Sequence, residues 1–436
     1  MIYNSVLVRF TGEFGIKSPQ TQDLLESLLR RNIQNAFTAT GNGDMLKRLQ
    51  ITMRPGRYYL VPRHPVEADV PAIVSVVGRT FGISTISPCF HTPLSDKTST
   101  RTVPAKLMLA HGLYPRTKKI VIRAIDSSLV DEKQWKAEIL ALCDKFSREE
   151  NDPAKGKKGL SKKRFRAEER WTMGPWACQR EKQLEIEVFE NAAFISAERI
   201  KAPGGFPLGL EDPLVALVSG GFDSPVAAWM AMRRGAPIIF VIMNPTQEEA
   251  SGGESEGSVR SKALKEVAVL VEYMRGQSAK PLVFVMPYGK VLTALQSQGA
   301  RAGVTCLLCK RMMYRVAEQV AHMYGAKGIV TGEILGEQAS QTAQNFMVLN
   351  SVVTIPVHRP LFGFDKEEVV ALARQIGTAL VASITSSPCW GVPDHPQIRG
   401  DIQVVEELEK HLGVDQLVQQ CLREITPVEW QIATEE

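Results

Sequence analysis

Two short stretches hold residues whose types and spacing could do chemistry. In the first, CLLCKRMM at 306–313, Cys306 and Cys309 stand three apart just ahead of Lys310 and Arg311. Thiolates in this spacing can grip one edge of a metal or cluster, work as a redox pair, or fill a core as small side chains. Zinc would want four ligands, and the neighbouring sequence offers neither a fourth cysteine nor a nearby histidine. In the second, Leu217-Val-Ser-Gly-Gly-Phe-Asp-Ser-Pro-Val-Ala227, a Gly-rich loop follows a predicted strand and opens a predicted helix. Gly220 and Gly221 let the backbone approach an anion, and amides of the loop and helix N-terminus can hold phosphate. Ser219 and Ser224 add hydroxyl donors. Asp223 could position a metal ion or pyrophosphate, or cap the helix. The loop is not a G-x-x-x-x-G-K-[ST] phosphate loop; the competing reading is a plain tight turn.

Around that loop the rhythm of the chain is strand, helix, strand. Apolar runs at 215–218, 238–243, 282–286 and 328–331 alternate with longer helical patterns. This predicts a doubly wound parallel α/β sheet, which binds ligands at the carboxyl ends of its strands. Thr331-Gly-Glu333 ends one such strand and should face the same cleft, followed by Gln338, Ser340 and Gln341. Lys310 and Arg311 should begin a helix with Met312, Met313, Val316, Val320 and Met323 in the core. They could contact phosphate or form surface salt bridges. Arg359 ends a further strand, as a structural guanidinium or a substrate contact.

The preceding part reads differently. Residues 2–10 alternate as a strand, Ser18 to Phe37 has helical periodicity, and two short strands flank the turn Arg54-Pro-Gly-Arg57. A helix over 66–77, a strand over 119–124, a helix over 132–145 and a hairpin over Asn191-Ala192 complete an α+β pattern. The Gly/Pro-rich segment 201–209 reads as a linker.

Composition sets the class. Apolar residues are 44% and charged residues 23% of 436 residues, as in soluble globular proteins. The longest strongly apolar runs are too short to span a bilayer, and the start has no signal-peptide pattern, so a cytoplasmic location is expected. Seven cysteines, an odd number, argue against a disulfide framework; Cys89, Cys143, Cys178 and Cys421 read as small core residues. The net charge of +5 is mild, but 155–166 concentrates lysine and arginine. Lys157, Lys158, Lys162, Lys163 and Arg164 there could neutralise RNA phosphates, or form a solvated basic loop. Trp171 and Trp176 could stack on bases or pack.

SGGFDS resembles the pyrophosphate-loop signature of enzymes that split ATP between its α and β phosphates. The wider sequence resembles the tRNA 4-thiouridine synthetases (ThiI, tRNA sulfurtransferases). The likeness covers nearly the whole chain, through Val6–Glu13 with Lys17, Phe81-Gly-Ile with Ser87-Pro88, Lys201–Gly209, Ser219–Ala227, Lys310–Met313, Thr331–Glu333, Gly336–Thr342 and Arg359–Leu361 in order. Phe222 stands where the resembling enzymes commonly have Ile. The resemblance implies a ferredoxin-like domain over 1–67, a THUMP RNA-binding domain over 68–200, and an adenine nucleotide alpha hydrolase-like pyrophosphate-loop domain over 201–436. It also implies adenylation of O4 of uridine 8 of tRNA, with Mg²⁺, and displacement of AMP by sulfur. ATP contacts are expected from Leu217, Val218, Ser219, Gly220, Gly221, Asp223, Ser224, Met243, Lys310, Arg311, Gly332 and Gln341.

The resemblance also bears on the cysteines. Some members carry a rhodanese domain; this chain runs only a helix or two past Trp390, so a rhodanese relay is not expected. Cys389, in Ser386-Ser-Pro-Cys-Trp-Gly391, matches the family's catalytic cysteine. Cys306 and Cys309 resemble the Cys-x-x-Cys of rhodanese-lacking, archaeal-type members. The implication is a [4Fe–4S] cluster on Cys306, Cys309 and Cys389 with one iron open to sulfide. The alternative is a persulfide on Cys389 resolved by Cys306 or Cys309. The sulfur donor would be sulfide or a persulfide-carrying protein. Family members are often homodimers. Thiolation of another substrate, sulfur transfer in thiazole synthesis, and non-catalytic THUMP-type RNA binding are the competing functions.

Overall fold

A computed structural model describes residues 3–66, 69–117, 119–124, 127–150, 180–246, 257–385 and 389–429. The chain divides into two compact units between Gly205 and Phe206. The basic run at 155–166, with Lys157, Lys158, Lys162, Lys163 and Arg164, lies outside the described residues, as do Trp171, Trp176 and Cys178.

In the first unit, β1 (Ser5–Phe10), β2 (Leu49–Arg54), β3 (Arg57–Pro62), β4 (Ile83–Pro93), β5 (Ile120–Ala124), β6 (Arg180–Phe189) and β7 (Ala192–Lys201) form one sheet. Its order is β2-β3-β1-β4-β7-β6-β5. Neighbours are antiparallel except β5 and β6. The long strand β4 is shared: it pairs Cys89 with Ser5 of β1 and Phe90 with Ile195 of β7. The sheet therefore runs unbroken past the expected boundary at residue 67. Helices α1 (Pro19–Ala39), α2 (Gly43–Arg48), α3 (Asp69–Val77), α4 (Ser99–Ala110) and α5 (Glu132–Glu150) connect the strands. Ser18 starts α1 by accepting a hydrogen bond from the Thr21 amide, with Pro19 in the first turn. Helix α4 has no counterpart in the sequence reading, because Pro104 interrupts its periodicity. Leu7, Tyr59, Cys89, Phe189 and Phe194 pack together in this unit. Nearby, Arg9 reaches Glu185 at 2.9 Å and Glu187 at 2.8 Å, and Arg57 reaches Glu187 at 2.5 Å.

The second unit is the expected α/β sheet. Strands β8 (Leu214–Val218), β9 (Ile238–Asn244), β10 (Leu282–Pro287), β11 (Ile329–Val330), β12 (Val357–His358) and β13 (Thr426–Pro427) lie in the order β12-β11-β8-β9-β10-β13. The first five are parallel, and β13 is an antiparallel edge. The order reverses at β8, between β9 and β11, so a crevice opens at the carboxyl ends of β8 and β11. The helices are α6 (Asp223–Arg233), α7 (Val259–Val271), α8 (Gly289–Gly299), α9 (Thr305–Tyr324), α10 (Ala343–Asn350), α11 (Lys366–Ile376), α12 (Ala379–Ala382), α13 (Ile402–Leu412) and α14 (Val414–Arg423). Met312, Val316 and Val320 of α9 are buried as expected. Met323 is not: it is 57% exposed in the last turn, where Gly325 ends the helix. Cys89, Cys143 and Cys421 are buried free thiols.

Candidate active site

The loop after β8 sits at the sheet's switch point. Gly220 takes φ +76°, a conformation glycine adopts at little cost. Ser224 folds the loop onto itself, its Oγ accepting from the Ser219 amide at 3.0 Å and lying 3.2 Å from Ser219 Oγ. Leu217 and Val218 end the strand, and buried Met243 lies near the end of neighbouring β9. Gly332, just after β11, is packed against α6: a Cβ there would lie 2.5 Å from the Ser224 nitrogen. The two strand ends are thus locked together across the switch point.

Asp223 does not cap α6. The N-cap position is Phe222, without a side-chain capping bond. The Asp223 carboxylate instead meets Lys366, the first residue of α11, at 2.8 and 3.0 Å. The same ammonium reaches Glu337 at 2.8 Å. Burial raises the Asp223 carboxyl above its usual range; Lys366 opposes this and Glu337 adds to it. Lys366 was invisible to sequence reasoning because Asp365-Lys-Glu-Glu368 reads simply as a helix start, which it is: Asp365 and Glu368 form a capping box.

Glu333 is the second hub. It accepts from Lys310 Nζ at 2.9 Å, Arg359 Nε at 2.8 Å, Tyr314 Oη at 2.5 Å and Thr331 Oγ1 at 3.1 Å. Burial would raise this carboxyl, yet Lys310 and Arg359 hold it below the usual range. Arg359 is therefore a tie between β11, α9 and α10, whose Asn350 it also contacts at 2.9 Å. Gln341 is buried and its Oε1 accepts from the Ile334 amide at 3.4 Å, so it is not a solvated position.

Arg311 departs from the expected phosphate contact. Its side chain is 1% exposed and bidentate to Glu409 of α13, at 2.8 and 2.7 Å. It also donates to the Val348 carbonyl and to Ser351 Oγ. One helical position from Lys310 turns the side chain about 100° away, so Lys310 faces the strand ends while Arg311 faces α10 and α13.

Cys306 and Cys309 lie in the first two turns of α9, both half-buried, and Cys389 is exposed. Tertiary packing brings the Cys389 segment to them. Trp390 donates to the Pro245 carbonyl at 3.4 Å beyond β9, and its own carbonyl accepts from Gln296 of α8 at 3.1 Å. The Gln397 amide donates to the Gly303 carbonyl at 3.0 Å, just before α9. Burial raises the Cys306 thiol, Cys389 adds to this and Lys310 opposes it. Burial also pushes Cys309 up to about 12, with Cys389 and Cys306 contributing in the same direction. Tyr288 donates to the Cys309 carbonyl at 3.1 Å. Among the described residues no three His, Cys, Asp or Glu side chains are grouped to hold a metal ion as they stand.

Fold and loop together define a pyrophosphate-loop α/β unit preceded by an α+β unit. Residues 209–414 match the family model described as thiamine biosynthesis protein (ThiI). The probable tRNA sulfurtransferase of Methanosarcina acetivorans is 30% identical over 427 residues, covering 97% of this chain and 93% of the relative. That of Thermococcus kodakarensis is 30% identical over 402 residues, 92% and 94% of the two chains. A solved 4-thiouridine synthetase, in complex with RNA and ATP, shares the fold with a TM-score of 0.71 at 23% identity, over 98% of this chain and 100% of that one. The chain belongs to the tRNA sulfurtransferase (ThiI) family. Among the described residues, no helix is long and apolar enough to cross a membrane.

Proposed function

We propose that this protein is a cytoplasmic, ATP-dependent tRNA uracil 4-sulfurtransferase that adenylates O4 of uridine 8 and replaces it with sulfur. The observation that carries the reading is the shared turn of α9. Lys310, aimed at the strand ends, directly follows Cys309, and the segment that carries Cys389 is bonded through Trp390 to α8 and through Gln397 to Gly303, just before α9. Activation and sulfur delivery would then occur side by side, as the chemistry requires: O4 leaves well only as AMP, and sulfur must arrive before water. The amides of Ser219 to Ser224 would cradle the phosphates. Lys310 would counter the charge that develops on the departing pyrophosphate. Asp223 would help hold Mg²⁺, which would supply charge neutralisation at the phosphates. Gly332 and Gln341 would border the adenosine. We also read the first unit as a ferredoxin-like part followed by a THUMP part, with the basic run 155–166 contacting tRNA.

The donor set of Cys306, Cys309 and Cys389 suits a soft metal. These residues would hold an iron–sulfur cluster, with the exposed Cys389 drawn toward the helix. When bound, the cluster would supply a site for inorganic sulfide. The exposure of Cys389 beside two half-buried thiols favours one second reading. An accessible thiol suits a persulfide loaded by a carrier protein and resolved by Cys306 or Cys309.

The deciding experiment supplies ATP, an unmodified tRNA transcript and, in separate anaerobic arms, sulfide or a persulfide-loaded carrier protein. AMP release that depends on tRNA, with one sulfur mapped to uridine 8 by nuclease digestion and mass spectrometry, is the expected result. AMP formed equally without tRNA, or sulfur placed elsewhere, would overturn it. Iron and acid-labile sulfide, each about four per chain and lost in Cys306→Ala, Cys309→Ala and Cys389→Ala, would select the cluster reading. Absence of both after reconstitution would select the persulfide reading.

A further inference from the structure

Lys262 is buried at 5% exposure, an uncommon fate for a lysine. It sits in the first turns of α7, and two observations place it between the nucleotide loop and the Cys389 segment. Its stem lies under Gly220: a Cβ on that glycine would fall 2.8 Å from the Lys262 Cβ, and 3.2 Å from the Ala263 nitrogen and the Val259 oxygen. Its ammonium donates to the carbonyls of Ile384 at 2.8 Å and Ala382 at 3.2 Å. Ile384 stands five positions before Cys389 in the sequence. One side chain therefore touches the loop at its base and the cysteine-bearing segment at its tip.

Two carbonyls could be satisfied by a neutral donor without the cost of burying an ammonium. A charge does something a neutral donor cannot: its energy changes when an anion settles nearby in a low-dielectric site. The adjacent acid leaves that charge available. Glu266, one turn further along α7, is fully buried, and both its carboxylate oxygens lack a hydrogen-bond partner among the described residues. Burial pushes it up to about 9, against the pull of Lys262 and with the help of Asp223. At neutral pH it is uncharged and does not cancel Lys262.

We infer that Lys262 is a positioning residue that couples occupation of the nucleotide loop to the placement of the Cys389 segment, so that the thiol is presented when ATP is bound. This rests on the nucleotide-loop reading proposed above.

The test uses the full-length protein with α,β-methylene-ATP, which cannot be split between its α and β phosphates. Two readouts are followed at saturating nucleotide: hydrogen exchange of peptides spanning 379–385, and the rate of Cys389 alkylation by iodoacetamide. In wild type, nucleotide should change both, the alkylation rate by at least about fivefold. In Lys262→Met nucleotide should still bind while both responses vanish, and Lys262→Arg should restore them. Responses in Lys262→Met equal to wild type would overturn the inference. So would a wild type that binds nucleotide with no change at 379–385 or Cys389, and that measurement decides the matter even if Lys262→Met fails to fold. Failure of wild type to bind the nucleotide at all would instead overturn the proposed function and the inference with it.

Discussion

The Lys366 ammonium lies 2.8 and 3.0 Å from the two carboxylate oxygens of Asp223, although 143 residues separate them. Lys366 is the counter-ion of Asp223, and it also holds Glu337. If Asp223 orients the metal-bound pyrophosphate, Asp223→Asn should cut tRNA-dependent AMP release by about 100-fold or more, with Tm nearly unchanged. Lys366→Ala should cost less, about tenfold. The double variant should be no worse than Asp223→Asn alone, because the two groups act as a unit. Additive losses in the AMP assay would show that they do not.

Lys310 and Arg311 are neighbours with opposite expected phenotypes. The arginines Arg311 and Arg315 both hold the Glu409 carboxyl below its usual range against burial. Arg311→Met takes from Glu409 its fully buried partner, leaves it only the more exposed Arg315, and removes the donor to the Val348 carbonyl and Ser351 Oγ. It should destabilise the fold by about 3 kcal/mol, read from the urea midpoint. Lys310→Ala should leave the midpoint within about 1 kcal/mol, because its side chain is partly exposed and Glu333 retains Arg359. Its loss should appear in AMP formation instead.

Glu266 sets a pH dependence of stability. Its folded value of about 9 lies above the ordinary 4.5, with Lys262 and Asp223 the charged groups acting on it. The folded state therefore binds the proton more tightly than the unfolded chain. The stability this contributes is complete below about pH 4.5 and is lost progressively as pH rises to about 9. Glu266→Gln should remove that slope and stabilise the protein at pH 7 to 8, by up to about 3 kcal/mol at pH 7. Chemical denaturation at several pH values would expose an unchanged slope.

Gly332→Ala places a methyl group 2.5 Å from the Ser224 nitrogen. Backbone against backbone cannot yield as a flexible side chain can, so the N-terminus of α6 must shift. Overpacking of this kind costs about 1–3 kcal/mol, and the shift should weaken nucleotide binding by about tenfold or more. Isothermal titration with ATP would report it; unaltered affinity would count against this junction shaping the nucleotide site.

For the basic run, changing Lys157, Lys158, Lys162 and Lys163 to Ala should weaken tRNA binding at low salt. It should also flatten the logarithmic salt dependence of affinity by roughly one unit per lost phosphate contact. Filter binding across a salt series is sufficient, and an unchanged slope would remove this segment from the RNA-contacting surface.

Local patterns made much of the fold legible. The strand–loop–helix at 214–233 and the hairpin around 191–192 are written in short-range periodicity and turn chemistry, and so is the body of α9, although the sequence pattern begins that helix at Lys310 and the structure begins it at Thr305. The short strands β11 and β12 are legible from the apolar run at 328–331 and the strand end at Arg359, whereas the two-residue edge strand β13 is too short to carry a period of two. Helix α4 was hidden by Pro104. The sharing of β4 by two sets of neighbours is a pairing decision between residues far apart in sequence, and no local pattern records it.

By itself the amino-acid sequence determined which chemistry was on offer: a glycine loop able to approach an anion, a Cys-x-x-Cys pair, a third cysteine before Trp390, and the order in which they occur. Only the tertiary structure decided which charges meet. It turned Lys310 toward Glu333 and Arg311 toward Glu409, paired Lys366 with Asp223, buried Lys262 beneath Gly220, and bonded the Cys389 segment to α8 and to the residues just before α9. The physical reason is that residue type and spacing act over a turn or a strand, whereas a buried charge takes its partner from whatever packing places beside it.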